Sequence, residues 1–342
     1  MDIYIDKPNL LSIVHSYKNE QYADCIRMLK DNFRIIFTFD KDEIKNMESN
    51  DKQDVMQWMS QLSTGLKADY PENPKWKNKF PSSPFDISKF ENDKTSTREE
   101  KLSAVYCLSR ENDQKIEEHA RKGNLMIAVE GQEINVISSL FFDSLQYTKN
   151  IFQKITSWDK ISKYTSPCTD VIICDQFLFS SPELYQNNIY SLIRALCANV
   201  KDTRVNIIIF TLKSNYDKNN KIDFEPDWNT IYTKIRKCAE KHSSFNVTFV
   251  TASKNTLEEH DRTIFTNYKC FASGDSYNYF NNSGEKITNG RYLHVHSNAD
   301  LDNKIDAEEF LKDMQDIINN IRELNNPSLI KKDKISNFLN FF

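Results

Sequence analysis

The sequence DVIICD at 170–175 opens the stretch that decides the fold. It is a short apolar, β-branched run that ends on an acid, and two similar runs follow it, VNIIIFT at 205–211 and FNVTFV at 245–250. Runs of this length and composition are typical of buried strands. Apolar residues at helical spacing separate them, along 184–200 and along 228–239. The order strand–helix–strand–helix–strand predicts an α/β domain with a mixed sheet flanked by helices.

The rest of the second half extends this domain. Further strands are predicted at 262–270 and 291–295, and Asp227 is a predicted N-cap. A last helix is expected to begin at a capping-box-like pair, Asp306 and Glu309, and to end before Pro327. We therefore expect a C-terminal domain at 165–325, followed by a tail at 327–342 whose aromatic residues dock on this subunit or another.

The first half predicts a separate N-terminal α/β domain at 1–160. Strands are expected at 2–5, 34–39 and 125–129, and helices at 20–31, 99–122 and 134–158. Four prolines among polar residues predict a long loop at 71–97.

Composition excludes several classes of protein. The net charge of -4 gives no overall nucleic-acid footprint, so an anion site has to be a local patch. With only six glycines the chain lacks the GxGxxG, GxxxxGK[ST] and GxSxG motifs, which disfavours the usual dinucleotide, P-loop and nucleophile-elbow sites. No transmembrane helix and no signal peptide is expected. Seven scattered cysteines predict reduced core thiols in a cytoplasmic protein.

One short string in the second half places reactive residue types at a defined spacing. EEHDRTIFTNY contains His260, Arg262 and Asn267, and the glycine turn GDSYNYF follows at 274–280. The string resembles the H-x-K-x4-D signature of the phospholipase D-like superfamily, with Arg262 in the lysine position and Asn267 in the aspartate position. The strand end Asp175-Gln-Phe and the glycine turn are similar to the phospholipase D-like C-terminal domain of MIT-domain proteins.

This resemblance covers about 165–300 and implies a phosphodiester site. In the superfamily a histidine attacks phosphorus, a basic side chain holds the phosphate oxygens and a carboxylate orients the imidazole. His260 and Arg262 match the first two roles. Asn267 cannot supply the negative charge of the third, which leaves Asp261 or Asp175 as the candidate acid. The glycine turn adds candidate phosphate-binding residues to Arg262, namely Gly274, Ser276 and Asn278.

The number of motif copies leaves alternatives open. The superfamily reaction uses a second histidine to protonate the leaving oxygen, and the chain has one convincing copy. Catalysis would therefore use a homodimer that pairs two His260 side chains. Otherwise the domain only binds, as in the MIT-domain family, where it contacts membranes. A third reading makes Arg262 part of a structural ion pair with Asp175 or Asp275.

The first half bears a fainter likeness. Its opening, IYIDKPNLL, is similar to the first strand of PIN-like nucleases, where the aspartate that ends the strand binds Mg²⁺; here that residue is Asp6. The resemblance implies Mg²⁺ as cofactor and phosphodiester hydrolysis as activity. Other acids that could complete the site are Glu43, Asp113, Glu130 and Asp143.

Taken together, the residues predict a protein that binds or cleaves nucleic-acid phosphodiesters. Richness in asparagine, lysine and isoleucine suits an AT-rich bacterial gene, and a prokaryotic defence or toxin effector fits that composition. The alternative is a non-catalytic module that binds phospholipid or protein, in peripheral contact with a membrane surface. His294 and His296 could face one metal from alternate strand positions, but two solvated histidines explain the pattern more simply.

Overall fold

The computed structural model of the chain describes residues 1–64, 79–82, 104–109, 126–141, 148–200, 204–216, 222–239, 244–253, 262–287, 292–323 and 329–332. The chain forms two compact units, the first from Met1–Tyr147 with Ser297–Lys304 and the second from Thr148–His296 with Ile305–Phe342. The predicted boundary near 160 therefore lies inside the second unit. The reason is that the strand Thr148–Asn150 pairs with the strand Leu293–Ser297.

The first unit contains a four-stranded parallel sheet. Its strands are β1 (Asp2–Ile5), β2 (Arg34–Phe37), β3 (Ala104–Cys107) and β4 (Met126–Ala128). They lie in the order β2-β1-β3-β4, with every pairing parallel. β1 and β3 are the central strands, and their buried residues are apolar or aromatic. This is expected because a parallel sheet is covered on both faces.

Helices connect and cover this sheet. They are α1 (Lys7–His15), α2 (Tyr22–Asn32), α3 (Ser49–Ser63) and α4 (Glu133–Ser139), with a 3₁₀ helix at Lys41–Asn46. Their apolar faces bury Leu10, Met28 and Trp58. The C-terminal end of α2 is closed by Lys79, whose buried ammonium donates to the carbonyl oxygens of Leu29, Lys30 and Phe33.

The second unit is built on an eight-stranded mixed sheet in the order β14-β10-β7-β6-β11-β12-β13-β5. The strands are β5 (Thr148–Asn150), β6 (Asp170–Cys174), β7 (Arg204–Leu212), β10 (Ser244–Ala252), β11 (Arg262–Thr266), β12 (Lys269–Ser273), β13 (Leu293–Ser297) and β14 (Leu329–Lys332). A two-stranded ribbon joins β8 (Asn215–Tyr216) to β9 (Ile222–Phe224). β6, β7 and β10 are parallel, and β11 runs antiparallel to β6.

The helices that follow the parallel strands are α5 (Ser191–Leu196), which continues a π-helical turn at Gln186–Tyr190, and α6 (Trp228–Arg236). Asp227 is the N-cap of α6, as predicted, and accepts a hydrogen bond from the amide of Thr230 at 3.1 Å. The long helix α7 spans Leu301–Glu323. None of the helices in the described part of the chain combines the length and apolar content needed to cross a bilayer.

The α/β class and the buried strands of both units are confirmed, but two predicted helices are wrong. The helix expected at 99–122 contains β3, whose apolar run of four residues is too short to tell a strand from a helical segment, and its ends at 99–103 and 110–122 lie outside the described residues. The helix expected at 134–158 ends with α4 at Ser139. Its apparent apolar stripe joins residues from two units, Ile137 in the first and Ile151 and Ile155 in the second.

Two boundaries also differ from the prediction. The single strand expected at 262–270 is the hairpin β11–β12, which turns at Asn267 and Tyr268. The last helix begins at Leu301, five residues before the predicted capping box, so Asp306 lies inside it. The tail at 335–342 and most of the predicted loop at 71–97 lie outside the described residues.

Candidate functional site

Asp6 lies where β1 ends and α1 begins. It is the N-cap of α1 and its carboxylate is buried. Oδ1 accepts hydrogen bonds from the backbone amide of Asn9 at 3.0 Å and from Asn9 Nδ2 at 2.7 Å. Oδ2 accepts the backbone amide of Ser109, just beyond β3, at 2.6 Å. The carboxylate therefore ties together the ends of the two central strands.

The order of the strands explains why this position suits a ligand. After β1 the chain continues to β2 on one side, and after β2 it crosses to β3 on the other side of β1. Ligands of open parallel sheets bind beyond the carboxyl ends of the strands, where the strand order reverses in this way. Asp6 and Ser109 stand at that reversal.

Two oxygen atoms beside Asp6 have no hydrogen-bond partner among the described residues. They are Asn9 Oδ1 and Ser109 Oγ, and both side chains are buried. Because Asn9 Nδ2 donates to Asp6, the amide orientation of Asn9 is set and its oxygen is the atom left over. A buried polar atom costs roughly 1–3 kcal/mol unless a water or another bound group satisfies it, so the two atoms next to the carboxylate offer oxygen ligands to such a group.

The donors at Asp6 suit a hard cation in an open site. They comprise one carboxylate and two neutral oxygens, and Mg²⁺ is commonly bound by one or two carboxylates while it keeps several waters. The described residues contain no group of three or more His, Cys, Asp or Glu side chains that could hold a metal by themselves. The arrangement thus fits Mg²⁺ shared with a substrate and does not fit a closed structural site.

The structure does not bring the other predicted acids to Asp6. Glu43 is exposed and lies 3.9 Å from the ammonium of Lys7. Glu130 is exposed as well, while Asp113 and Asp143 lie outside the described residues. These acids are polar surface positions as far as the structure describes them.

Sequence analysis missed one buried acid of the first unit, Glu133. It begins α4 directly after the turn that follows β4, and only 1% of its surface is exposed. Ser12 Oγ donates to Glu133 Oε2 at 3.1 Å, and Oε1 has no partner among the described residues. Burial raises the pKa of Glu133 above its ordinary value. The signal available in the sequence was an acid at the start of a helix just after the Gly131 turn.

The buried thiols of the first unit are neighbours of these acids. Burial, with the Glu133 charge, raises the pKa of Cys25 to about 12. Burial also raises the pKa of Cys107 far above its ordinary value, and the charges of Glu133 and Asp6 add to this. Thiols with raised pKa are poor nucleophiles. All seven cysteines of the chain are free, as expected from their spacing.

In the second unit, Asp175 follows the end of β6 and is 1% exposed. Its carboxylate accepts hydrogen bonds from Ser276 Oγ at 2.7 Å, from the amide of Tyr277 at 2.8 Å and from the amide of Phe177 at 2.9 Å. Burial raises the pKa of Asp175, and these bonds together with the charge of Arg262 act in the opposite direction. Asp175 thus fastens the glycine turn to the end of β6.

Arg262 begins β11, which runs antiparallel to β6, and therefore lies at the same edge of the sheet as Asp175. Its guanidinium carbon lies 5.7 Å from the centroid of the Phe177 ring. The backbone carbonyl of Arg262 accepts a hydrogen bond from the hydroxyl of Tyr277 at 3.0 Å. Arg262 and Asp175 therefore lie at one strand-end edge of the sheet.

The glycine turn supplies two of its three predicted residues to this edge. Ser276 bonds to Asp175, and Asn278 Nδ2 donates to the carbonyl of Phe177 at 2.7 Å. The amide of Gly274 donates to the carbonyl of Tyr292 at 3.2 Å, so it serves the turn itself. His260 and Asp261 lie outside the described residues, and the nucleophile role of His260 stays a prediction.

Comparison with protein-family models, with curated proteins and with solved structures finds no match to this chain.

The structure separates Asn267 from Arg262. Asn267 lies in the turn after β11, so five residues of extended chain, about 16 Å, lie between the two. Its buried Oδ1 accepts the amides of Thr169 at 2.9 Å and Asp170 at 3.1 Å. Asn267 thus joins the turn between β11 and β12 to the start of β6, whereas its spacing in the sequence had placed it in the phosphodiester site.

We expect Asn267→Ala to lower the free energy of unfolding by roughly 2 kcal/mol, because the amides of Thr169 and Asp170 lose their acceptor. Asn267→Asp keeps that acceptor and restores the superfamily's aspartate, yet phosphodiester affinity should not change, since the residue is remote from Arg262. Urea denaturation and oligonucleotide titration measure the two effects. A gain of affinity or activity in Asn267→Asp would contradict this placement.

His294 and His296 lie on the same face of β13, with ring centroids 6.0 Å apart. Both are half-buried, and the His294 ring also packs against Tyr292 at 4.9 Å. No group of three His, Cys, Asp or Glu side chains that could hold a metal lies here among the described residues. Packed histidines account for the pattern.

Proposed function

We propose that the protein binds and cleaves nucleic-acid phosphodiesters, with a Mg²⁺-dependent site at Asp6 in the first unit. The observation that carries the proposal is a buried carboxylate at the reversal of strand order, beside two buried oxygens without partners. A second observation supports it: Glu133 provides another buried carboxyl, and both Asp6 and Glu133 act on the thiol of Cys107 at the end of β3.

The roles of the residues follow from their chemistry. Asp6 would hold Mg²⁺, with Asn9 Oδ1 and Ser109 Oγ binding either the cation or its waters. When bound, Mg²⁺ acts as a Lewis acid on a phosphoryl oxygen and makes a bound water more acidic. The pKa of Glu133 is raised in the direction of neutral pH. A carboxyl group with such a pKa is better suited both to accept and to donate a proton, here at Oε1.

The decisive experiment removes the charge of Asp6 and keeps its cap. Asp6→Asn keeps the oxygen that caps α1 but turns an amide nitrogen toward the backbone amide of Ser109, so thermal denaturation first checks that the variant is folded. We expect Mg²⁺ or Mn²⁺ affinity, measured by calorimetry, to fall at least about tenfold, and cleavage of labelled RNA or DNA to fall about a hundredfold or more.

Asp227→Asn is the matched control, because Asp227 caps α6 in the same way but is exposed and has no unpartnered oxygen beside it in the described structure. It should bind the cation and cleave like the wild type. Equal binding in the wild type and Asp6→Asn, or binding in neither, removes the proposal.

The second candidate function is non-catalytic binding of a phosphodiester by the second unit. It is favoured by the position of Asn267, which binds the amides of Thr169 and Asp170 at the other end of β11 from Arg262. Arg262 can still hold phosphate oxygens as a charged, planar donor. This candidate includes catalysis at His260, in a homodimer, under one condition. Asp6→Asn must leave cleavage intact, and His260→Ala must abolish it.

A further inference from the structure

Phe177 carries an exposed aromatic ring at the carboxyl end of β6. Its exposed fraction is 39%, and the other exposed large apolar side chains among the described residues are Tyr17, Met56, Ile222 and Ile287. We propose that Phe177 is a stacking platform for an unpaired nucleobase, flanked by Arg262 for the phosphate and by Asn278 for the base edge. The proposal rests on the proposed nucleic-acid function for its ligand class and names that ligand as single-stranded.

The backbone of Phe177 is fixed on both sides. Its amide donates to Asp175 Oδ1 at 2.9 Å, and its carbonyl accepts from Asn278 Nδ2 at 2.7 Å. Asp175 is itself held by Ser276 and Tyr277. A ring anchored in this way loses little conformational entropy when a ligand stacks on it, which is what a preformed binding surface requires.

The side chain beside the ring is positively charged and can therefore attract the phosphates of a nucleic acid. The guanidinium of Arg262 lies 5.7 Å from the ring centroid, a cation–π distance. Single-stranded nucleic acids bind where aromatic rings stack on bases and nearby cations meet the backbone. The ring and the guanidinium of this pair thus match the two halves of a nucleotide.

Asn278 adds a hydrogen-bond acceptor to the same place. The carbonyl of Phe177 can only accept, so the nitrogen of the Asn278 amide must face it, and Oδ1 points elsewhere. Oδ1 is buried and has no partner among the described residues. An amino group or ring N–H of a base would satisfy this atom, which a lipid headgroup phosphate or a purely apolar peptide side chain cannot do.

The test compares two oligonucleotides with the same phosphates. One is a short single-stranded DNA labelled with fluorescein, and the other is the same strand with abasic sites in place of its bases. Fluorescence anisotropy is measured in EDTA, so that cleavage at the Asp6 site does not interfere. We expect the intact strand to bind the wild type about five- to a hundredfold more tightly than the abasic strand, as for one or two stacked bases.

Substitutions then assign the effect to the ring. Phe177→Ala should lose that preference, and Phe177→Tyr should keep it, because tyrosine offers the same stacking face. Ile287→Ala is the matched control in the same unit, since Ile287 is exposed and its backbone amide donates to Tyr279 and not to Phe177, Arg262 or Asn278. Thermal denaturation verifies that each variant is folded.

The outcomes separate this proposal from the proposed function. Equal binding of intact and abasic strands overturns the stacking platform and leaves phosphodiester binding in place. Binding of neither strand overturns both for the second unit. Equal affinity for a duplex of the same sequence, or binding of phosphatidylserine vesicles that is lost in Phe177→Ala, also overturns the platform, the latter in favour of a membrane surface.

Discussion

Asp175→Ala is expected to lower the free energy of unfolding of the second unit by about 3–5 kcal/mol. The buried carboxylate accepts three hydrogen bonds, from Ser276, Tyr277 and Phe177, and the substitution leaves all three donors without it. The charge of Arg262 also loses the nearby carboxylate. Urea denaturation followed by tryptophan fluorescence, to which Trp158 and Trp228 of this unit contribute, measures the loss.

The control for this prediction is Asp159→Ala, which removes an exposed acid of the same unit and should leave the midpoint unchanged. A midpoint of Asp175→Ala equal to that of the wild type would show that the three bonds contribute nothing.

The pH dependence of Asp175 has a defined sign. Burial raises its pKa above the ordinary 3.8, so the folded chain holds this proton more tightly than the unfolded chain. Its contribution to stability is therefore fully present below about pH 4 and falls as the pH rises. The side chain at position 175 cannot titrate in the variant Asp175→Asn. The free energy of unfolding of the wild type should therefore fall relative to that of Asp175→Asn as the pH rises. A difference that shifts the other way would contradict the raised pKa.

Lys79→Met is expected to destabilise the first unit by about 3 kcal/mol. The ammonium of Lys79 donates to the carbonyls of Leu29 at 2.8 Å and Phe33 at 2.8 Å as well as to that of Lys30. A cation at the C-terminal end of α2 is also stabilised by the negative end of the helix dipole. Methionine fills a similar volume but satisfies none of the three oxygens, and hydrogen bonds to charged groups are worth about 1.5–3 kcal/mol each at most.

Lys45→Met is the matched control, because the ammonium of Lys45 lies 2.6 Å from Asp42 on the surface with both side chains 73% exposed. Such a pair is screened by water, so the unfolding midpoint should not move. Equal effects of the two lysine substitutions would rule out the capping role of Lys79.

Lys79 also predicts how the first unit responds to pH. Burial lowers the pKa of Lys79 from 10.5 to about 7, against the attraction of Asp31. Between these two values the unfolded chain binds the proton and the folded chain releases it, so the free energy of unfolding rises with pH. Lys79→Met should flatten that rise when urea denaturation at pH 7 is compared with pH 9.5. A wild type that loses stability over this interval through Lys79 would contradict the lowered pKa.

The buried strands show where sequence reasoning succeeds. The runs at 170–175, 205–211 and 245–250 are apolar because a parallel strand is covered on both faces, and this leaves a continuous signal in the sequence. The cap at Asp227 is equally local, since its bond to Thr230 spans three residues. The end of β1 at Asp6 is local in the same way, since an acid directly follows an apolar run.

The spacing of the phospholipase D-like string shows where such reasoning fails. Arg262 and Asn267 are five residues apart in the sequence, and the string resembles a site that uses both. An extended strand carries them to opposite ends of β11, so only Arg262 reaches the edge that holds Asp175. Spacing predicts proximity only when the conformation between the residues is known, and the hairpin at Asn267 could not be read from the string.

The sequence by itself determined the α/β class, the strand cores and the local caps, because these depend on contacts between residues close in the chain. Only the tertiary structure decided that Lys79 closes α2, that Ser109 bonds to Asp6 and that Ser276 bonds to Asp175. Each of these contacts joins residues about fifty to one hundred positions apart. Which distant polar groups meet is set by strand order and burial, since a buried charge is stable only where the fold brings it enough partners.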